Sequence, residues 1–309
     1  MGGSHIKASE YTRPYYALII DALERGLPID PHRFTIGDIF AAVYDDQLAP
    51  AHGQTPKLQV PAAPFTAVLI PGFINEIFPE AAFSKGMQCL QQQDKLDYLA
   101  LKIPGRRGSD YNADVIAEQI KNLPSSKPLW LVAHSKGGVD SLHFLAKYPL
   151  LAQERVWGLS TIAAPIMGST YPEHFLLKHL ADELIEHQLQ AQIDFYPKEI
   201  RNSLQPSFRK KWFKENQAKL PLIKYSSLAF QLSKYTTAPT MSLTKIIFAG
   251  QEANDGMVDT ASASFPEEFS HIDFNIIEAD HLIGQSKDPL PQTALLAAHL
   301  IMFKYLNLI

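Results

Sequence analysis

Apolar positions along the chain fall into two alternating textures. Short, continuous, β-branched runs occupy 65–70, 98–103, 129–133, 156–162, 245–249 and 274–278. Their length and lack of polar alternation suit parallel strands covered on both faces. Between several of them lie amphipathic stretches at 113–123, 138–147 and 291–305, which read as helices. Strand–helix alternation of this kind predicts an α/β domain built on a mostly parallel sheet flanked by helices.

The alternation is missing in two places. Residues 1–60 hold no strand pattern; 15–24 and 34–44 have helical spacing, and the turn-rich stretches 51–56 and 61–64 read as a linker. The opening Met1-Gly-Gly-Ser-His5 reads as a tag remnant. We therefore expect a tag remnant and helical extension over 1–60 and the main domain over 61–309. The second gap, 170–243, shows no clear strand and is far too long for an ordinary connection. Within it, 174–190 is strongly periodic, with 196–217 and 222–233 as further candidate helices. This segment is expected to be a helical lid or cap inserted over one edge of the sheet.

The sharpest local signal is Leu129-Trp-Leu-Val-Ala-His-Ser-Lys-Gly-Gly-Val139. An apolar strand runs directly into Ser135, then two glycines, then a helix. A serine hydroxyl is a poor nucleophile unless it is exposed, held in position and next to a base. A tight strand-to-helix turn lifts it clear of the sheet. The residues two before and two after must be small, and here they are Ala133 and Gly137. This is the G-x-S-x-G nucleophile elbow with alanine in place of the first glycine. A lone Ser-x-Gly is as well explained by a helix-capping serine; the strand before it and the paired glycines after it favour catalysis.

In chains built on this elbow the partners follow in the order serine, acid, histidine. Seven histidines follow Ser135. His143 falls on the elbow helix, His174, His179 and His187 in the insertion, His299 on the final helix, and His271 before the last strand. His281 follows the last strand at its C-terminal edge, where active sites of parallel sheets assemble. The expected acid is Asp255, in the Asn254-Asp255-Gly256 turn after the run at 245–249, with Glu252 in reserve. Its task would be to hold the imidazole in the productive tautomer. The strand at 65–70 ends in Pro71-Gly72-Phe73-Ile74. The oxyanion donors are expected to be the N–H groups of Phe73 and Lys136, and the substrate-binding residues Ile74 and His134.

These pieces resemble the α/β-hydrolase superfamily, and several are similar to bacterial lipases and esterases. They are Ala133-His-Ser-Lys-Gly-Gly138, Asn254-Asp-Gly-Met-Val258, Asp280-His-Leu282 and Thr161-Ile-Ala-Ala-Pro-Ile-Met-Gly-Ser169. The resemblance spans about residues 65–309 and implies a serine hydrolase that cleaves carboxylic esters. Three positions depart from the lipase pattern. Pro71 stands where a His-Gly oxyanion motif has histidine. Ile166 stands where A-P-H-x-G-S has histidine. The segment after His281 lacks the aspartate those lipases use for calcium. No metal and no cofactor are therefore expected.

The bulk properties narrow this further. A net charge of −4 over 309 residues gives no sign of a nucleic-acid partner. A single cysteine, Cys89, excludes an intrachain disulfide and makes a cytoplasmic protein the default; a leader replaced by the tag would instead make it secreted. The expected partner is a small ester or lipid. Phe208-Arg-Lys-Lys-Trp-Phe-Lys214 mixes cations with aromatics and makes the cap a candidate for peripheral membrane contact, with a solvated helix face as the plainer reading. Two rival functions keep the same fold: an acyltransferase using the same triad, and a non-catalytic binding protein.

Overall fold

The computed structural model describes residues 15–73, 80–169, 198–232 and 253–309. Its centre is a six-stranded sheet, all parallel, made of β1 (Thr66–Ile70), β2 (Asp97–Ala100), β3 (Leu129–His134), β4 (Val156–Ile162), β5 (Lys224–Gln231) and β6 (Ile272–Glu278). The strands lie in the order β2-β1-β3-β4-β5-β6. Helices α1 (Tyr16–Glu24), α2 (Ile36–Gln47), α3 (Ser84–Gln92) and α9 (Leu290–Tyr305) pack on one face; the other α-helices among the described residues are α4 (Ser109–Asn122), α5 (Lys136–Lys147), α6 (Pro149–Arg155), α7 (Lys198–Leu204) and α8 (Pro206–Asn216). The doubly wound sheet expected from the alternation is thus present.

Double coverage explains the strand sequences. Every residue of β1 and β3 is buried, so neither strand needs a polar face. Among the described strands, the outermost, β2 and β6, carry most of the exposed positions. Two apolar clusters fill the two faces. One joins Phe40, Phe65, Trp130, Phe274 and Phe303; the other joins Val68, Leu131, Ile116, Leu142 and Phe213. Helix α9 is buried almost all round, from Pro291 to Phe303. This suits a helix wedged between the sheet and other helices rather than one lying on the surface.

The extension before residue 60 is part of the core over its helices. Thr35 caps α2 through a reciprocal pair, its Oγ1 accepting from the Asp38 N–H while Asp38 Oδ2 accepts from the Thr35 N–H. From there Phe40 stacks on Phe274 of β6 at 4.6 Å, and Ile39 and Val43 join the same cluster. Gly37 lies against Asn275, where a Cβ would come within 2.4 Å of the asparagine Cβ. So α2 covers the β6 edge of the sheet.

One expectation is corrected. Residues 222–232 are not helical: Lys224–Gln231 is strand β5, inside the sheet between β4 and β6, so the expected cap segment 170–243 contains a strand of the sheet. Its two serines hid it. Ser226 is buried and satisfied only across the sheet, where its Oγ meets Ser160 Oγ at 2.8 Å and Trp130 Nε1 donates to Ser160 Oγ at 2.9 Å. The expected strand at 245–249, the helix at 174–190 and residues 1–14 lie outside the described residues. Of the candidate helix 196–217, residues 198–204 and 206–216 form α7 and α8. No helix among the described residues is long and apolar enough to cross a membrane.

Burial also sets the response to acid. Burial pushes His299 down to about 4, and burial together with the neighbouring His281 pushes His134 down to about 3; the free value is 6.5. His143 is lowered too, chiefly by burial. Between the free and native values the unfolded chain takes up protons that the native state refuses. Their contribution to stability is therefore intact above pH 6.5 and lost as pH falls toward 4. We predict that urea midpoints fall from about pH 7 to pH 5, by about 2 kcal/mol of stability for each of His134 and His299. His299 has a buried Nε2 without a partner and sits among Phe40, Phe274 and Phe303. His299→Phe should flatten the profile; an unchanged slope would exclude this origin.

Candidate active site

The turn after β3 is where the fold first departs from regular geometry. Ser135 has φ 54° and ψ −133°, a left-handed conformation that a side chain adopts only under constraint. Its N–H donates to the Ile162 carbonyl at 3.0 Å, extending the β3–β4 pairing by one residue, and its own carbonyl accepts from Gly138 N–H at 3.0 Å. The glycines allow this crossing. A Cβ on Gly137 would lie 2.4 Å from the Ile70 carbonyl oxygen and 2.5 Å from that of Pro71. A Cβ on Gly138 would lie 2.5 Å from Ala164 Cβ. Helix α5 can therefore start hard against the end of β1, and Ser135 stands at its N-terminus.

Two loops at the same end of the sheet bring the other groups in. The end of β5 anchors both: Leu232 N–H donates to the Asn254 carbonyl at 2.8 Å, and Ala279 N–H donates to the Gln231 carbonyl at 3.1 Å. The first loop carries Asp255. Its Oδ1 accepts from the N–H groups of Met257 and Val258 at 2.9 and 2.8 Å, which leaves Oδ2 to face His281. Gly256 takes φ 96° to close this turn. The second loop carries His281, whose N–H donates to the Asp255 carbonyl at 3.1 Å.

The result is a linear chain of three side chains. His281 Nδ1 lies 2.7 Å from Asp255 Oδ2, and His281 Nε2 lies 2.8 Å from Ser135 Oγ. Asp255 is 1% exposed and His281 3%. A carboxylate only accepts, so the proton sits on Nδ1 and the bare Nε2 faces the hydroxyl. This is the tautomer that can draw a proton from serine, with the carboxylate stabilising the resulting imidazolium.

Other residues singled out from the sequence have distinct surroundings. Gly72 lies against Ser135: a Cβ there would be 2.9 Å from Ser135 Cβ. Phe73 follows it and is buried. Lys136 opens α5, so its N–H has no partner inside the helix. Its ammonium is buried and committed to both oxygens of Asp140, at 2.8 Å each. Ile74 and Glu252 lie outside the described residues. His134, expected at the substrate site, is buried beside the base candidate His281. Its ring is 6% exposed, packs edge-on against Phe83, and directs Nε2 to the His281 carbonyl at 3.1 Å.

Sequence reasoning passed over a buried polar network behind Ser135. Asp140 also accepts from Asn112 Nδ2 at 2.7 Å. Next to it, His143 Nδ1 meets Asp110 at 2.7 Å and its Nε2 accepts from Arg209 Nη1 at 2.8 Å. Arg209 is 0% exposed, donates from Nε to the Ile166 carbonyl at 3.1 Å and is pushed down to about 9 by burial. Helix α8 thus buries Arg209 and Phe213 while exposing Phe208, Lys210, Lys211 and Lys214. The Lys136–Asp140 spacing of four was legible as a helix pair; the Arg209 contact, made across the fold, was not. Among the described residues no group of three or more His, Cys, Asp or Glu side chains is arranged to hold a metal.

Comparison with solved structures supports the fold. A metagenomic carboxyl esterase superposes with a TM-score of 0.65 at 28% identity, over 80% of this chain and 78% of its own. The mature lipase BlEst2 of Bacillus licheniformis gives 0.54 at 18% identity, over 72% and 88%. EstA from Clostridium botulinum gives 0.56 at 13% identity, over 79% and 88%. No protein-family model and no curated protein matches the sequence. The chain has the α/β-hydrolase fold and is similar to carboxyl esterases and bacterial lipases.

The close crossing at Gly137 gives a direct test of the local geometry. Gly137→Ala should destabilise the fold by about 3 kcal/mol, because the clash is with backbone carbonyls that cannot rotate away. A urea midpoint equal to that of the unaltered protein would show that α5 does not start so close to β1.

Proposed function

We propose that the protein is a serine hydrolase of carboxylic esters, with Ser135 as nucleophile, His281 as general base and Asp255 as the acid that orients it. The observation that carries this reading is the unbroken chain Ser135 Oγ, His281 Nε2, His281 Nδ1 and Asp255 Oδ2, at 2.8 and 2.7 Å. Similarity to a carboxyl esterase at 28% identity supports the same chemistry.

The reaction proceeds in two halves. His281 takes the hydroxyl proton as Ser135 Oγ attacks the ester carbonyl. The developing oxyanion is stabilised by the N–H of Lys136, at the positive end of α5, and by the N–H of Phe73 after the Gly72 turn. The tetrahedral intermediate collapses, the C–O bond to the alcohol breaks, and His281 returns its proton to the leaving alkoxide. Water then attacks the acyl-serine with His281 again as base, releasing the acid and restoring Ser135. Ile74, next to the Phe73 donor, is assigned to the substrate site. The substrate is a small ester or lipid, and the reaction calls for no cofactor.

Purified protein should hydrolyse p-nitrophenyl esters, and a series from acetate to palmitate will give the acyl length it prefers. Ser135→Ala and His281→Ala should each lower kcat by about 10⁴-fold or more, and Asp255→Asn by about 10³- to 10⁴-fold. Full activity in Ser135→Ala would overturn the assignment. Product analysis with added alcohol separates hydrolysis from acyl transfer: ester product in place of free acid would identify a transferase.

A further inference from the structure

His281 is held at four points. Its ring is fixed between Asp255 and Ser135, at 2.7 and 2.8 Å, and its N–H donates to the Asp255 carbonyl at 3.1 Å. Its carbonyl oxygen accepts from the side chain of His134 at 3.1 Å. The first three belong to the acid and the nucleophile themselves. The fourth comes from a residue with no part in the proton transfers, set immediately before the nucleophile in the chain.

We propose that His134 is a positioning residue: its Nε2–H ties the His281 main chain to the end of β3 and so holds the base at a fixed distance from the nucleophile. The inference rests on the triad reading above and adds the residue that maintains its spacing.

The surroundings of His134 suit this role. Its main chain is the last residue of β3, paired with Ile162 of β4, so the donor is mounted on the interior of the sheet. Phe83 packs edge-on against the ring, 5.4 Å between centroids, and its own N–H donates to the Gly284 carbonyl at 2.8 Å, three residues beyond the base. Phe83 takes φ 69°, and a Cβ on Gly284 would come within 2.8 Å of its ring. The His134 ring is therefore backed on one side and tied on the other. Because its partner is a carbonyl, Nε2 must carry the proton. Burial keeps the ring neutral, pushed down to about 3. Neutrality matters here. The His134 and His281 rings are 5.1 Å apart, and a cationic donor at this place would oppose the imidazolium that forms on His281.

Catalytic groups must keep their geometry closely, and a misplacement near 1 Å costs about 100-fold in rate. Removing the His134 donor leaves the His281 carbonyl unpaired in a buried site and frees the loop on that side. Glutamine can replace it, since its amide nitrogen reaches about as far from the main chain as Nε2. Asparagine is equally polar but too short. Leucine fills the space without a donor.

The experiment compares His134→Gln, His134→Asn and His134→Leu in two assays: kcat and KM on p-nitrophenyl butyrate, and the rate of Ser135 labelling by a fluorophosphonate. His134→Gln should keep kcat within about threefold. His134→Asn and His134→Leu should lose about 30- to 100-fold in kcat and in labelling rate, with KM little changed. If the leucine variant does not fold, the two amides decide, since they differ only in reach. Equal kcat in His134→Gln and His134→Asn overturns the inference. Wild-type labelling rates in all variants overturn it while the triad stands. Activity surviving in Ser135→Ala overturns the triad reading and this inference with it.

Discussion

The start of α5 lies within contact distance of the end of β1, and that crossing governs the rest of the site. With a Cβ at Gly137 only 2.4 Å from the Ile70 carbonyl, the chain can pass only because the side chain is a hydrogen. The same crossing forces Ser135 into a positive φ and lifts its hydroxyl off the sheet. Backbone strain of this kind costs on the order of 1–3 kcal/mol and persists only where surrounding structure imposes it. Here the constraint is supplied by β1, β3 and β4 together, through the Ile70–Ala133 register and the Ser135–Ile162 hydrogen bond.

The second organising element is the end of β5. Residues 231 and 232 hold the turn of Asp255 and the approach to His281 by main-chain hydrogen bonds. Asp255 and His281 are thus referred to one strand, and Ser135 to another two places away in the sheet. The His134 side chain spans from the end of β3 to the loop of His281. A parallel sheet makes such convergence natural, because all its strands end at the same edge.

Behind Ser135 the protein buries charge. Lys136, Asp140 and Asn112 pair among themselves, and Arg209 reaches His143 and the Ile166 carbonyl from α8. A buried ion pair contributes little net stability, since desolvation offsets its attraction, but removing one partner strands the other. The network therefore fixes how α4, α5 and α8 sit around the elbow. It also gives α8 one anchored face, so that only part of its cation-rich sequence faces solvent.

Much of this was legible without coordinates. Continuous apolar runs identified five strands of the sheet in place, though β2 proved shorter than its run, and small residues around Ser135 identified the elbow, because hydrophobic burial and steric exclusion act on residue types locally. The chain order and the position of each candidate relative to the expected strands singled out Ser135, Asp255 and His281, and the fold brings these three side chains within hydrogen-bond distance. Strand β5 was not legible: its buried Ser226 makes sense only when Ser160 and Trp130 stand beside it. Nor could the sequence reveal that α2 packs against β6, that Arg209 lies wholly buried, or that the His134 ring reaches the His281 carbonyl. These depend on contacts between residues far apart in the chain, such as the stacking of Phe40 on Phe274 and the hydrogen bond between His134 and His281. The sequence determines which groups could react, through side-chain chemistry and local shape. Which groups are dry, paired and within reach of one another was decided by the tertiary structure, because polar satisfaction in a buried site is a property of neighbours brought together by folding.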